Sequence, residues 1–131
     1  MKSIQNKADF SKLIETENKC IVFCFFNWSG YSVISKKIVE KWEKQYKREI
    51  ILIDCSVIGP ESYYPDWLRK QENGDWAKEG IMTIKKFSPK NRLHGYGEIC
   101  WILNKKVVGF ETIYDNFDLE TLEKRTNTLF E

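Results

Sequence analysis

A continuous run of strand-favouring residues at positions 20–26 constrains this chain more than any other feature. The run is apolar at odd and even positions alike, which is typical of a strand buried on both faces, as in a mostly parallel sheet. A long helical pattern over 32–48 follows it, and a second, mainly apolar run over 49–55 follows the helix. Strand–helix–strand units of this kind are right-handed and parallel. We therefore predict an α/β fold with helices packed on both faces of its sheet.

Two further helices are predicted near the ends of the chain. Apolar residues at helical spacing indicate a short helix over 8–17. A terminal helix is expected after position 116, with Asn116 or Asp118 as its N-cap. Four residues trace one face of that helix, and they are Leu119, Leu122, Thr126 and Leu129.

A β-hairpin is predicted between the second strand and the terminal helix. Two apolar runs, Glu98–Leu103 and 106–110, are separated by a two-residue polar link that begins with Asn104. The segment 57–96 has no clear pattern and is interpreted as an enlarged, irregular and partly helical insertion. The chain has no repeat and no second core, so residues 1–131 are expected to form a single domain.

The central helix carries both its apolar stripe and most of its lysines in a regular pattern. Glu40 with Lys44, and Glu43 with Lys47, stand in the order that favours helical ion pairs. We therefore interpret the lysine-rich side of the helix as a solvated face. Apolar residues recur at every fourth position and are expected to face the sheet: Ile34, Ile38, Trp42 and Tyr46.

The charge balance argues against a nucleic-acid partner, and the short apolar runs argue against a membrane. Lys and Arg number 21 and Asp and Glu number 19, so the net charge is only +2, whereas a nucleic-acid footprint needs clustered excess basic charge. The longest apolar run is far too short to cross a bilayer. The first residues contain no apolar h-region. We expect a cytoplasmic protein.

The four cysteines do not form a recognisable metal or redox motif. Cys20, Cys24, Cys55 and Cys100 include no CxxC pair, and their spacing does not suit a zinc site. No phosphate loop or cofactor fingerprint is present, so we expect neither a metal nor a cofactor. Three of the four lie inside apolar runs and are interpreted as structural thiols. Cys55 stands at the carboxyl end of a strand, where open α/β sheets bind ligands, and is the one cysteine with a route to exposed chemistry.

The turn between the first strand and the central helix reads Trp28-Ser29-Gly30-Tyr31-Ser32. This pattern resembles the active-site strand and turn of the thioredoxin family, in which the residues after Trp read Cys-Gly-Pro-Cys. The order of elements, βαβ followed by ββα, also resembles the thioredoxin core. The resemblance implies a thioredoxin-like domain with a central mixed sheet, helices on both faces and a long insertion before the hairpin.

The residues that carry out redox chemistry in that family are different here. Its two cysteines attack and resolve disulfides, and the matching positions are Ser29 and Ser32. A serine hydroxyl has no accessible anion near neutral pH and forms no disulfide. The family's buried aspartate matches Phe23, and its cis-proline matches Gly97. Because these supporting positions differ as well, we interpret the site as naturally silent rather than engineered.

The resemblance also implies a groove beside the turn that receives an extended peptide. In this chain the surface would carry Trp28, Gly30, Tyr31, Tyr96 and Gly97, with Trp28 and Tyr31 as the expected anchors. We therefore predict a non-catalytic module that binds another protein or peptide. It would serve as an adaptor, a complex subunit or a toxin-neutralising, immunity-type protein.

Two other functions stay open at this point. One is a residual thiol-based redox enzyme or sensor that uses Cys55, which would need a lowered pKa, although no basic neighbour is evident. The other is a small-ligand pocket lined by the aromatic residues of segment 57–96.

Overall fold

The structure is a computed structural model that describes residues 1–55, 97–113 and 118–131. The predicted insertion over 57–96, with any ligand pocket it lines, and the candidate cap Asn116 lie outside the described residues. Within the described part the elements are β1 (Lys2–Ile4), α1 (Lys7–Thr16), β2 (Lys19–Phe25), α2 (Gly30–Tyr46), β3 (Ile50–Asp54), β4 (Glu98–Leu103), β5 (Lys106–Thr112) and α3 (Leu119–Phe130).

The strands form one mixed sheet in the order β1-β3-β2-β4-β5. Strands β1 and β2 both pair in parallel with β3, and Val22 lies opposite Ile51. Strand β4 runs antiparallel to β2, with Val22 opposite Cys100, and β5 runs antiparallel to β4. The parallel unit and the hairpin are therefore where the sequence predicted them. Strand β1 was not predicted.

Strand β2 is buried on both faces, as its apolar sequence indicated. Val22 and Cys24 point into a core cluster that includes Phe10 of α1. On the other face, Phe23 joins a cluster that includes Trp42 of α2. Leu122 of α3 packs in this second cluster, so α2 and α3 cover the face opposite to α1.

Local side-chain chemistry fixes the ends of the helices and the hairpin turn. Asn6 caps α1 by accepting a 2.8 Å hydrogen bond from the Asp9 backbone N–H. Asp118, one of the two predicted caps, accepts from the Glu120 N–H at the start of α3. Asn104 and Lys105 both have positive φ, of 50° and 69°, which is the turn geometry that suits the right-handed twist of a hairpin.

A polar network joins α2 to α3 at the edge of the core. The carboxylate of Glu123 accepts from Trp42 Nε1 at 2.9 Å and from Arg48 Nε at 3.0 Å. Arg48 Nη2 also donates to Asn127 Oδ1 at 2.8 Å. Burial of the Glu123 carboxyl opposes its charged form. The hydrogen bonds from Arg48 and Trp42 outweigh that cost and lower the pKa of Glu123 from its ordinary value of 4.5.

Glu43 takes part in the fold rather than in the predicted helical pair with Lys47. Its carboxylate lies 3.0 Å from the α-amino group of Met1 and accepts a 3.0 Å hydrogen bond from the Ile50 N–H. The prediction of a Glu43–Lys47 pair was therefore wrong. A buried amine and an unpaired strand N–H are stronger competitors for a carboxylate than an exposed lysine.

No helix in the described ranges is long and apolar enough to cross a membrane.

We expect Glu123→Gln to lower the free energy of unfolding by about 1 kcal/mol at pH 7, because it weakens charge-assisted hydrogen bonds. A carboxylate whose pKa is lowered on folding stabilises the protein above its unfolded pKa, and this stabilisation is lost as the pH falls through the folded pKa. The difference between wild type and variant should therefore shrink below about pH 4.5. Urea titrations from pH 7 to pH 3 measure it.

The exposed Lys124–Glu120 pair provides the matched control. Glu120→Gln should change stability by only a few tenths of a kcal/mol, as is usual for surface pairs. A Glu123→Gln variant that differs from wild type equally at pH 7 and pH 3 would contradict the assignment.

Candidate functional site

The turn at the carboxyl end of β2 is held by backbone hydrogen bonds that Ser29 makes with the residues before and after it. The Ser29 N–H donates to the Phe26 carbonyl at 3.2 Å, and the Val33 N–H donates to the Ser29 carbonyl at 3.1 Å. The chain therefore reverses over four residues and passes directly into α2. Ser29 is the N-cap residue, and Gly30 is the first residue of the helix.

Both serines of the turn use their hydroxyl groups to satisfy backbone N–H groups. Ser29 Oγ accepts from the Ser32 N–H at 3.3 Å, the usual N-cap bond. Ser32 Oγ accepts from the Phe26 N–H at 2.8 Å. The two residues are 6% and 0% exposed. Ser29 and Ser32 therefore stabilise the turn and the start of the helix, and neither presents a hydroxyl to solvent.

Gly97, which immediately precedes β4, lies against the inner side of this turn. Its φ is +84°, and a Cβ added to it would stand 3.0 Å from Ser32 Cα, 2.9 Å from Ser35 Cβ and 3.1 Å from Phe23 Cε1. Only glycine combines that backbone conformation with so close an approach. Gly97 is buried, so the expectation that it lies on an exposed binding surface was wrong. It supports the turn from within.

Four large hydrophobic side chains are exposed on the outer side of the turn and the first turn of α2. Their exposed fractions are 57% for Trp28, 49% for Tyr31, 40% for Val33 and 49% for Ile34. We call these four residues the turn patch. The Trp28 ring packs edge-on against Phe26 with centroids 5.7 Å apart, so one side of the indole is braced.

The predicted anchors Trp28 and Tyr31 are thus exposed, and the structure adds Val33 and Ile34 to them. Ile34 had been assigned to the face that packs on the sheet, and that assignment was wrong. Positions four apart drift by about 40° around a helix at each step. The face buried against the sheet instead includes Ser35, Val39 and Trp42.

Gly30 and Tyr96 were also predicted to lie on the binding surface. Gly30 is exposed, and a Cβ added to it would meet no atom within 4 Å, so its backbone lies open beside the turn patch. Tyr96 lies outside the described residues.

The cysteines are all buried. Cys55 lies at the predicted edge of the sheet, directly after β3, but is only 1% exposed, so the expectation that it reaches the surface was wrong. Burial, and next the hydrogen bond with Cys24, raise the pKa of Cys55 well above its ordinary value. The hydrogen bond with Cys24, and next burial, do the same to the pKa of Cys100. Burial and the neighbouring Glu17 carboxylate raise the pKa of Cys20 to about 12.

Cys24 differs from the other three, because its hydrogen bonds with Cys100 and then Cys55 lower the pKa of its thiol to about 5 against the opposing effect of burial. Since all four thiols are buried, none has the exposure that a reactive cysteine needs. No cluster of three or more His, Cys, Asp or Glu side chains within the described ranges could hold a metal ion.

Comparison with known proteins assigns the fold. No family model and no curated protein matches the chain. Among solved structures, thioredoxin from Plasmodium falciparum superposes with a TM-score of 0.58 at 16% identity, over 98% of both chains. The fold is thioredoxin-like. A mutant thioredoxin from Halobacterium salinarum gives 0.60 at 11% identity, over 99% of this chain and 90% of that one. The thioredoxin of Schistosoma mansoni gives 0.58 at 12% identity, over 98% and 96%.

The predicted thioredoxin-like architecture, with its mixed sheet and helices on both faces, is thereby confirmed. Identities this low concern the fold alone. Within the thioredoxin-like fold, the functional candidates are the turn patch on the outside and the two capping serines beneath it.

We expect Gly97→Ala to lower the free energy of unfolding by about 2 kcal/mol or more, because the added methyl group meets Ser32 and Phe23 in a backbone conformation unfavourable to alanine. Gly30→Ala is the matched control, since its Cβ enters open space. It should change stability by less than about 1 kcal/mol. Urea denaturation of both variants measures the contrast, and equal effects would contradict the close approach at Gly97.

Proposed function

We propose that this protein is a non-catalytic, thioredoxin-like module that binds another protein or peptide through the turn patch. One observation carries the proposal. At the turn, both serine hydroxyls are buried in backbone hydrogen bonds, while four large hydrophobic side chains beside them are exposed.

The absence of catalysis follows from what thiol–disulfide exchange requires. An attacking thiolate must reach the substrate disulfide, and a second thiol must resolve the mixed disulfide. Ser29 and Ser32 supply neither group. The four cysteines are buried, and Cys55 is held in its neutral form by a raised pKa. The arrangement therefore supports a redox-silent site.

The binding role follows from the composition and position of the turn patch. Contiguous exposed hydrophobic residues on a small soluble domain mark interaction sites. Tyrosine and tryptophan are favoured in the centres of interfaces, since they bury a large area with few rotatable bonds. Trp28 and Tyr31 flank the capped start of α2, so a rigid element presents them. An adaptor, a subunit of a complex and an immunity-type protein would all use such a surface.

A residual thiol enzyme or sensor that uses Cys55 is the second candidate. It is favoured by the solved structures of similar fold, several of which are thioredoxins. Such a protein would have to open its core to expose Cys55, because that thiol is buried in the described structure.

A disulfide-reduction assay separates the two candidates. We expect the purified protein, supplied with excess dithiol, to reduce a protein disulfide no faster than the dithiol alone. An active thioredoxin at the same concentration serves as the positive control. Turnover above background that disappears in Cys55→Ala would establish the second candidate in place of the first.

Capture of partners tests the turn patch directly. The double variant Trp28→Ala, Tyr31→Ala should capture at least tenfold less partner than wild type from a lysate of its source cells, because aromatic hot spots dominate binding energy. Its far-UV circular dichroism should be unchanged. Ser11→Ala, Glu15→Ala on the exposed face of α1 is the control and should capture normally.

The same capture is run with and without reductant and read by mass spectrometry. A non-covalent module holds its partner equally in both conditions. A partner that is lost on reduction, or that binds the double variant as well as wild type, would contradict the proposed function.

A further inference from the structure

The solvent face of α2 changes character along its length. It begins with the turn-patch residues Val33 and Ile34 and continues with Lys37, Lys41 and Lys44, all of them exposed. At about 100° per residue, these five side chains fall within an arc of about 100° around the helix axis. At 1.5 Å per residue the distance from Val33 to Lys44 along the helix is about 16 Å. We call Lys37, Lys41 and Lys44 the lysine row.

Of the two acidic residues of α2, one is engaged elsewhere in the fold. Glu43 is bound to the Met1 amine and the Ile50 N–H on the inner side of the helix. The predicted pair between Glu40 and Lys44 is not formed. Within the part of the chain that the structure describes, none of the three lysines makes an ion pair, and Glu40 is the one exposed acid of α2.

Two neighbouring basic groups, Lys36 and Arg48, are used within the fold, whereas Lys47 at the end of α2 is exposed. Arg48 binds Glu123 and Asn127. The Lys36 ammonium lies 5.2 Å from the centroid of the Phe25 ring, in cation–π geometry. The chain as a whole is almost neutral, with a net charge of +2. Unpaired positive charge is therefore concentrated on the same helix face as Val33 and Ile34 of the turn patch.

We infer that the partner of the turn patch is an acidic protein segment. It places apolar side chains on the turn patch and Asp or Glu side chains along the lysine row. This inference rests on the proposed function and specifies the chemistry of its partner. Complementary charges beside an apolar anchor would fix the direction of the segment and accelerate its association.

A protein segment suits this face better than a single-stranded nucleic acid. Nucleic-acid platforms stack successive bases on aromatic rings, whereas Val33 and Ile34 make half of the turn patch aliphatic. The sequence pI of about 8.3 is also below the strongly basic range of nucleic-acid-binding domains.

A displayed library of random twelve-residue peptides tests the inference. Peptides are selected on wild-type protein and depleted on the Trp28→Ala, Tyr31→Ala variant. We expect the enriched peptides to combine an apolar or aromatic residue with several Asp or Glu residues. Synthetic copies of the enriched peptides then allow affinities to be measured at 50 and 300 mM salt.

Charge reversal at the lysine row should weaken the binding of these peptides. The triple variant Lys37→Glu, Lys41→Glu, Lys44→Glu should bind these peptides with an affinity about tenfold or more below that of wild type at 50 mM salt. The difference in affinity should be smaller at 300 mM salt, because salt screens exposed charges. The control variant Lys2→Glu, Lys12→Glu, Lys124→Glu has the same change in net charge elsewhere on the surface. Its affinity for the peptides should fall less than threefold. Circular dichroism confirms that both variants are folded.

The outcomes separate this inference from the proposed function. Neutral or basic peptides that still require Trp28 and Tyr31 would overturn the acidic partner and leave the binding module standing. Equal losses in the two charge-reversal variants would overturn the lysine row as the binding surface. Failure to enrich any peptide that requires the turn patch would overturn both proposals. Tighter binding of an oligothymidylate than of the enriched peptides at 300 mM salt would assign the face to nucleic acid instead.

Discussion

The burial of β2 on both faces is the constraint on which the rest of the structure depends. This strand pairs with β3 on one side and β4 on the other, so none of its backbone is left at a sheet edge. Its side chains alternate between the two core clusters, with Cys24 on the face covered by α1 and Phe23 on the face covered by α2. The helices are therefore placed by the strand. The strand also determines the position of the turn, because the chain must leave the core where β2 ends.

The packing beneath the turn explains why the serines are structural. Phe23 fills the interior, and the Gly97 backbone approaches until a Cβ would stand 3.0 Å from Ser32 Cα. The first N–H groups of a helix need acceptors when they are buried. Here the Ser29 hydroxyl caps the helix, while the Ser32 hydroxyl binds the N–H of the preceding loop. A reactive nucleophile would have to be exposed, and these two hydroxyls are enclosed.

The elements that could be predicted from sequence are those that carry a strong pattern. A continuous apolar run, an amphipathic helix and a hairpin with Asn104 in its turn were each visible, and their order along the chain supported the resemblance. Strand β1 was missed because it has only three residues and one buried side chain, Ile4. The role of Glu43 was missed for the same reason. Its partner Met1 is placed beside α2 only when β1 joins the sheet.

Predictions at the site failed where burial depends on distant parts of the chain. Cys55 was correctly placed at the edge of the sheet, yet its exposure depends on how its thiol packs beside Cys24 and Cys100, which belong to other strands. Gly97 was recognised as a substituted position, but nothing local indicates that it contacts Ser32. The resemblance identified the turn, whereas three-dimensional packing decides which of its residues are accessible.

The buried face of α2 stabilises the fold, and its exposed face has the proposed binding role. Ser35, Val39 and Trp42 are buried, and Trp42 also donates to Glu123 of α3. The lysine row, with Val33 and Ile34 of the turn patch, lies on the opposite, exposed side and contributes little to the core. A helix held so firmly on one side presents the other with little conformational freedom, which lowers the entropic cost of binding. The rigidity that the core gives α2 is thus also what would make its exposed face an effective recognition surface.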